Sequence, residues 1–168
     1  MIHTIGYEGA SLNDFIQTLK RSKVSCLIDV RERAQSRRKG FSKSALATAL
    51  DSEGIRYLHF RELGDPKAGR EAARNADYPA FKRIYSKVIT ASKGQAALRA
   101  IVDAAKKQSV CLMCYERDPV TCHRKIITDT IEKETNIKIR HLGVNGIEPK
   151  IRSKGRMLHS REGAAAQI

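Results

Sequence analysis

The chain has 168 residues and no tryptophan, and aromatic side chains make up only 5% of it. This scarcity argues against a stacking platform for single-stranded nucleic acid, which needs exposed aromatic rings. No apolar run approaches the roughly 18 residues that cross a bilayer, so we expect no membrane partner. The N-terminus lacks a basic stretch followed by an apolar one, so we expect no secretory signal. A cytoplasmic location is therefore predicted, and the four cysteines are expected to be reduced thiols.

Acidic residues are scarce as well. The chain has 18 of them against 32 lysines and arginines, which gives a net charge of +14. Such an excess favours polyanionic partners, although solvated surfaces alone can also account for it. We therefore predict a phosphate-bearing small molecule or a nucleic acid as the partner. In residues 145–168, glycine, proline and charged residues replace the apolar pattern. This change predicts a folded domain over residues 1–144 and a flexible basic tail over residues 145–168.

Short apolar runs alternate with helical patterns along the rest of the chain. Runs typical of strands occupy residues 2–6, 26–30, 55–60, 109–114 and 137–142. Helical spacing follows Ser11 and Ser42 and recurs over residues 79–91, 95–107 and 119–134, the last with Asp118 as the expected N-cap. The polar stretch 62–78 is predicted to be a loop. The alternation predicts a single-domain, three-layer α/β/α fold with a mostly parallel, Rossmann-like sheet of about five strands.

Polar side chains follow four of the five predicted strands. In open α/β sheets, ligands bind at the edge formed by the carboxyl ends of the strands. Those ends carry Tyr7 and Glu8, then Asp29 and Arg31, then Arg61 and Glu62, then Cys114 and Glu116. We therefore expect these groups to share one cavity at that edge of the sheet.

The segment 114–124 is the densest of these polar clusters. It leads into a predicted helix whose N-terminus would receive a phosphate or carboxylate, and Arg117, His123 and Arg124 would strengthen that binding. The same positive field would favour the thiolate of Cys114 or Cys122. Each cysteine is therefore either a nucleophile or, as is common for free cysteine, a small buried residue. The spacing of a phosphatase loop is absent, because the sixth residue after Cys114 is a valine.

A metal site in this segment is not expected. Cys111 and Cys114 are three residues apart on a predicted strand, so their side chains should point to opposite faces of the sheet. Cys122 and His123 are adjacent, and on a helix their side chains should diverge. No motif for an organic cofactor occurs either. The sequence therefore predicts neither a metal nor a cofactor.

Two further loops carry candidate residues. Residues 31–43 contain six basic side chains, Arg37 and Lys43 among them, and they form either a phosphate clamp or a solvated loop. Within the same region, Asp29 could instead hold Arg31 in place. The segment Gly6-Tyr7-Glu8-Gly9 lets the backbone turn sharply beside a ligand. Glu8 would then be a general base or a ribose-hydroxyl partner, the alternative being a plain tight turn.

Taken together, these motifs resemble the domain-of-unknown-function 488 family. The resemblance rests on residues 4–9, 28–31, 36–37, 40–43, 62–64, 66–67, 114–116 and 122–124, whose order and rough spacing match over about residues 2–143. One departure is Ala34, where the family typically has proline. The resemblance implies a small bacterial or archaeal cytoplasmic α/β domain with its motif residues in one pocket. The pocket residues it implies are Tyr7, Glu8, Asp29, Arg31, Arg37, Lys43, Glu62, Cys114, Glu116, Cys122, His123 and Arg124.

The leading hypothesis is a pocket that binds a phosphate-bearing ligand and acts on it by hydrolysis or transfer. Arg31, Arg37 and Arg124 would hold the anion. Glu8 or Glu116 would serve as general acid or base, and Cys114 would be a nucleophile or part of the wall. Two alternatives stay open: a non-enzymatic nucleic-acid-binding module, and a thiol-dependent sulfur-transfer or redox protein.

Overall fold

The computed structural model describes residues 1–144, so the predicted tail over residues 145–168 lies outside the described residues. Its strands are β1 (Ile2–Gly6), β2 (Cys26–Asp29), β3 (Arg56–His59), β4 (Val110–Cys114) and β5 (Ile139–Leu142). They form one sheet in the order β3-β2-β4-β1-β5, and every pair of neighbours is parallel. The prediction of a parallel sheet of five strands is therefore confirmed.

Helices cover both faces of this sheet. They are α1 (Leu12–Arg21), α2 (Lys43–Asp51), α3 (Lys67–Arg74), α4 (Tyr78–Thr90), α5 (Ser92–Lys107) and α6 (His123–Glu134), with 3-10 turns at Arg61–Leu63 and Pro119–Thr121. One buried cluster joins the sheet to α4, α5 and α6, and a second joins it to α1 and α2. The α/β/α class is thereby confirmed. Over residues 1–144, every helix is too short or too polar to cross a membrane.

The central strand β4 is buried on both faces, which explains why its sequence is a continuous apolar run. Its side chains alternate between the two cores: Leu112 and Cys114 pack with one cluster, whereas Cys111 and Met113 pack with the other. A strand buried on both faces needs apolar residues at every position. The alternation also confirms that Cys111 and Cys114 face opposite sides of the sheet.

The prediction of a loop over residues 62–78 is wrong. The segment contains the 3-10 turn Arg61–Leu63 and the helix α3. The helix shows little apolar periodicity because only small alanines, Ala72 and Ala73, pack against the core. The gap expected between the helices over residues 79–91 and 95–107 is also shorter than predicted, since only Ala91 is extended and Gly94 lies inside α5.

The prediction of one helix over residues 119–134 is also wrong, because a separate 3-10 turn precedes α6. Asp118 is the N-cap of that turn, and its side chain accepts a hydrogen bond from the Val120 backbone. Cys122 then adopts an extended conformation, with φ −120° and ψ 143°, and α6 begins at His123. Because of this interruption, the Cys122 side chain points toward that of His123.

The last residue of β1, Gly6, has the backbone of Glu116 packed directly against it. A Cβ atom added to Gly6 would lie 1.8 Å from the Glu116 carbonyl oxygen, so the loop after β4 approaches closely only because residue 6 has no side chain. The tight packing of this loop therefore depends on one glycine.

We expect Gly6→Ala to lower the free energy of unfolding by roughly 1–3 kcal/mol, the usual cost of forcing extra atoms into a packed site. Gly143→Ala is the matched control, because a Cβ there meets nothing within 4 Å. Urea denaturation of both variants measures the effect. Equal stability of the two variants would contradict this account of the Gly6 contact.

Candidate functional site

A cavity of about 490 Å³ lies at the edge formed by the carboxyl ends of β1, β2 and β4. We call it the arginine pocket. Five of its lining residues are arginines: Arg31, Arg33, Arg37, Arg70 and Arg74. The others are Tyr7, Glu32, Gln35, Ser36, Asp65, Cys114, Tyr115, Glu116 and His123. The structure thus brings polar residues from three strand ends to one cavity, together with residues of α3 and α6.

A buried ion pair forms one wall of the arginine pocket. Asp29 is 0% exposed and Arg31 is 6% exposed. The Arg31 guanidinium donates through Nε at 2.9 Å and through Nη2 at 2.6 Å to the Asp29 carboxylate, a geometry that adds specificity as well as energy. Its Nη1 donates to the Tyr7 hydroxyl at 2.8 Å, and the Tyr57 hydroxyl donates to Asp29 at 2.6 Å. Arg31 is therefore held rigidly.

Charge at this wall is fixed. Burial alone would lower the pKa of Arg31, but hydrogen bonding and attraction to Asp29 outweigh it and raise that pKa. Burial, followed by the Asp29 charge, raises the pKa of Tyr57. Arg31 is therefore permanently cationic and Tyr57 stays a neutral donor to Asp29. The expectation that Asp29 holds Arg31 in place agrees with these contacts.

The remaining arginines of the pocket fall into two groups. Arg70 pairs with Glu32 and also donates to the Asp65 carbonyl. Arg33, Arg37 and Arg74 are exposed, and none of them makes a salt bridge within residues 1–144. The pocket therefore carries three cationic groups that form no ion pair with the acidic side chains of residues 1–144.

Four side chains at the floor of the pocket converge on one point, and we call them the thiol cluster: Cys114, Glu116, Cys122 and His123. The Cys114 thiol donates to Glu116 Oε2 at 3.1 Å and lies 3.8 Å from His123 Nδ1. Cys122 Sγ lies 3.9 Å from the same nitrogen. Three of the four line the pocket, whereas Cys122 is buried behind them.

The expected divergence of the Cys122 and His123 side chains is therefore wrong. It would require both residues to belong to one helix, but Cys122 precedes α6 in an extended conformation. Its side chain consequently turns toward the same point as that of His123. Cys122 and Cys114 are also core residues, so each of them is both a small buried residue and a member of the thiol cluster.

The pKa values of the cluster diverge from their ordinary ranges because the groups share a buried space. Burial, reinforced by Cys122, raises the pKa of Glu116 to about 7. Burial also raises the pKa of Cys114. For Cys122, burial acts in the same direction, but hydrogen bonding to Cys114 and the charge of His123 hold its pKa well below the usual range. Burial would lower the pKa of His123, yet Cys122 and Glu116 raise it to about 9.

Arg124 lies outside the pocket and supports its floor. It is 1% exposed, and its guanidinium donates to the carbonyls of Glu116 and, at 2.9 Å, Arg117. These bonds hold the loop after β4 against the start of α6. The sequence suggests that Arg124 binds an anion, but its buried guanidinium donates to these two carbonyls instead.

Three other candidate residues also lie outside the arginine pocket. Glu8 accepts a hydrogen bond from the Arg117 backbone at 3.1 Å and lines two cavities, one of which adjoins the arginine pocket and shares Arg74 and Glu116 with it. Lys43 lines a separate cavity beside β3. Glu62 is exposed on the 3-10 turn. Of the expected site residues, the structure gathers Tyr7, Arg31, Arg37, Cys114, Glu116 and His123 around the pocket itself.

Helix α3 contributes pocket residues that the sequence did not predict. Arg70 and Arg74 line the pocket but fall in the stretch predicted to be a loop. Their spacing of four residues places both on one face of a helix, and this spacing is the signal in the sequence that could have identified them. Asp65, at the entrance to α3, also lines the pocket, and burial raises its pKa to about 6.

Comparison with protein families gives a match over most of the chain. The family model described as "Domain of unknown function DUF488" matches residues 11–131, from the start of α1 into α6. The arginines of the pocket and the whole thiol cluster fall within this range, whereas Tyr7 precedes it. No curated protein and no solved structure gives a significant match.

We expect Asp29→Asn to lower the free energy of unfolding by about 3–5 kcal/mol, because it leaves the buried Arg31 charge without its partner. Glu53→Gln is the matched control. It removes one carboxylate from the Lys20–Glu53 pair, whose side chains are 43% and 34% exposed, and should cost less than about 1 kcal/mol. Chemical denaturation compares the two. Similar losses would show that the Arg31–Asp29 pair is not a buried support.

Proposed function

The chain belongs to the DUF488 family, and we propose that it binds a phosphate-bearing ligand, a nucleotide or a nucleic-acid end, in the arginine pocket. The observation that carries this proposal is the set of five arginines around one cavity, three of them without an ion pair within residues 1–144. Arginine binds phosphate oxygens through two parallel hydrogen bonds, which makes it the residue of choice for this anion. The position at the carboxyl edge of a parallel sheet supports the same ligand class.

The shape of the pocket supports a ligand larger than inorganic phosphate. Its volume of about 490 Å³ lies within the range of small-molecule sites, about 300–1,000 Å³. Tyr115 lines the pocket and its side chain is 45% exposed, so its ring is available for stacking on a base. Tyr7 is fixed behind it by stacking on Phe41 at 4.4 Å. A nucleotide would place its phosphates on the arginines and its base near Tyr115.

Chemistry at the phosphate, by hydrolysis or group transfer, would involve the floor of the pocket. Glu116, Cys114 and His123 are the lining residues of the floor that can move a proton, and the Glu116 carboxylate lies 3.1 Å from the Cys114 thiol. Glu116 is the better candidate for general acid or base because it lines the arginine pocket and burial raises its pKa to about 7. Glu8 is the less favoured carboxylate, since it is engaged with the Arg117 backbone outside this pocket.

Arg37→Ala and Arg74→Ala should each weaken nucleotide binding by about 10-fold or more, the usual cost of losing a charged hydrogen bond. A panel of nucleotides and short oligonucleotides with terminal phosphates, titrated by calorimetry, measures the effect. Arg99→Ala is the matched control, because it removes the same charge from an exposed residue of α5 that lines a different cavity. Equal weakening by all three changes would indicate binding by general surface charge and would contradict the pocket.

Glu116→Gln should abolish turnover of the best ligand in that panel while leaving its affinity within about 10-fold, because the change removes the acid/base group but no arginine. Product formation is followed by chromatography. Glu53→Gln, on the surface beside Lys20, is the control for a lost carboxylate. Unchanged turnover in Glu116→Gln would rule out an acid/base role for this residue and leave the pocket as a binding site.

A further inference from the structure

We propose that the thiol cluster is a binding site for a divalent transition metal, and that Zn²⁺ is the ion its donors fit best. Two sulfurs, one imidazole nitrogen and one carboxylate oxygen all lie within 4.8 Å of one another. Thiolate, imidazole and carboxylate are the ligands that zinc takes in proteins, most often four at a time. The hard cations Mg²⁺ and Ca²⁺ prefer oxygen ligands alone.

The distances within the cluster are close to those of a formed site. With zinc bonds of about 2.3 Å to sulfur and 2.0–2.1 Å to nitrogen, tetrahedral geometry separates the ligand atoms by roughly 3.5–3.8 Å. His123 Nδ1 lies 3.8 Å from Cys114 Sγ and 3.9 Å from Cys122 Sγ. Glu116 Oε2 is nearer, at 3.1 Å from Cys114 Sγ, and its side chain is the one with room to move. Small side-chain shifts would therefore suffice.

The orientation of His123 supports the proposal independently. Its Nε2 lies 2.8 Å from the Val30 carbonyl oxygen, and because a carbonyl can only accept, Nε2 carries a proton. In the neutral ring the lone pair then lies on Nδ1, the nitrogen that faces both sulfurs. A backbone carbonyl that fixes the ring in this way is the usual outer partner of a metal-bound histidine.

Filling of the core does not explain the whole cluster. Free cysteines are common core residues, and that role accounts for Cys114 and Cys122. It does not account for a carboxylate that converges on the same two sulfurs. Bringing Glu116 into this buried space costs desolvation. A bound divalent cation would offset that cost, because it takes the carboxylate and the deprotonated thiols as ligands.

The cluster is also accessible and firmly supported. Cys114, Glu116 and His123 line the arginine pocket, so an ion can enter from that side. The Arg124 guanidinium donates to the Glu116 carbonyl, and the same carbonyl packs against Gly6. The proposal does not depend on the phosphate-bearing ligand. With a metal bound, the reactive group at the pocket floor would be the metal rather than the free carboxylate of Glu116.

The test uses the full chain, treated with a phosphine reductant and a chelator, and then titrated with Zn²⁺ against a chromophoric competitor. We expect one tightly bound zinc per chain. Titration with Co²⁺ should give a sulfur-to-metal charge-transfer band and intense visible bands typical of tetrahedral thiolate coordination. Because loss of an outer partner alone costs about 10–100-fold in metal affinity, Cys122→Ser and His123→Asn should each weaken zinc binding by at least about 100-fold.

Cys111→Ala is the matched control, because Cys111 lies three residues from Cys114 but packs in the core on the other face of the sheet. It should bind zinc as tightly as the unchanged protein does. Arg37→Ala should also bind zinc as tightly, although it weakens nucleotide binding, so failure of the zinc proposal can be told apart from failure of the phosphate pocket. The cobalt spectrum of the unchanged protein keeps the test valid should a variant fail to fold. Absence of zinc uptake by the reduced protein, a cobalt spectrum without thiolate bands, or equal binding by Cys122→Ser would each overturn the proposal.

Discussion

The loop after β4 packs against the bare backbone of Gly6, and the candidate site depends on this contact. Gly6 and Cys114 are opposite each other in the parallel pairing of β1 and β4. Beyond the strands the pairing continues, because the Tyr7 and Glu8 backbones donate to the carbonyls of Cys114 and Tyr115 at 3.3 and 2.9 Å. The two chains therefore leave the sheet together. Any side chain on residue 6 would push the Glu116 carbonyl away and separate Glu116 from the thiol that it contacts.

Arg124 and Arg31 stabilise this edge in two different ways. Arg124 is a buried cation that donates to loop carbonyls, so it serves the backbone rather than a ligand. Arg31 is paired with a fully buried carboxylate, and its guanidinium still lines the pocket. Burying such a pair is costly unless hydrogen bonds satisfy both partners, and here Tyr7 and Tyr57 supply them. The result is a cationic group whose position is fixed before any ligand arrives.

Much of the fold could be predicted from the sequence because its strands are buried on both faces. Uninterrupted apolar runs such as residues 110–114 have few other interpretations, and polar residues at their ends must then meet at one edge. Helix α3 could not be recognised in the same way, because alanines give almost no periodic signal. Its packing against the core, which only the tertiary structure reveals, turns Arg70 and Arg74 into pocket residues.

The convergence of the thiol cluster could not be predicted, because it depends on the backbone conformation of a single residue. Helix propensity and the proline at position 119 both favour a helix that starts at once, and on such a helix Cys122 would turn away from His123. In the structure the 3-10 turn ends before α6 begins. The one extended residue between them, Cys122, therefore points its side chain toward that of His123. A single backbone conformation thus decides whether four potential ligands converge.

The arginine pocket and the thiol cluster are electrostatically complementary. Two thiolates, a carboxylate and a divalent cation would together leave one net negative charge at the pocket floor, and in a site with restricted solvent such a charge needs nearby cations. Two of the five arginines are paired with carboxylates, but Arg33, Arg37 and Arg74 make no salt bridge within residues 1–144. These three cations outnumber the single negative charge of the floor, so the loss of one of them would still leave that charge balanced. Positive charge also remains to attract a phosphate-bearing ligand, and the pocket could therefore hold an anionic metal centre and bind an anion above it.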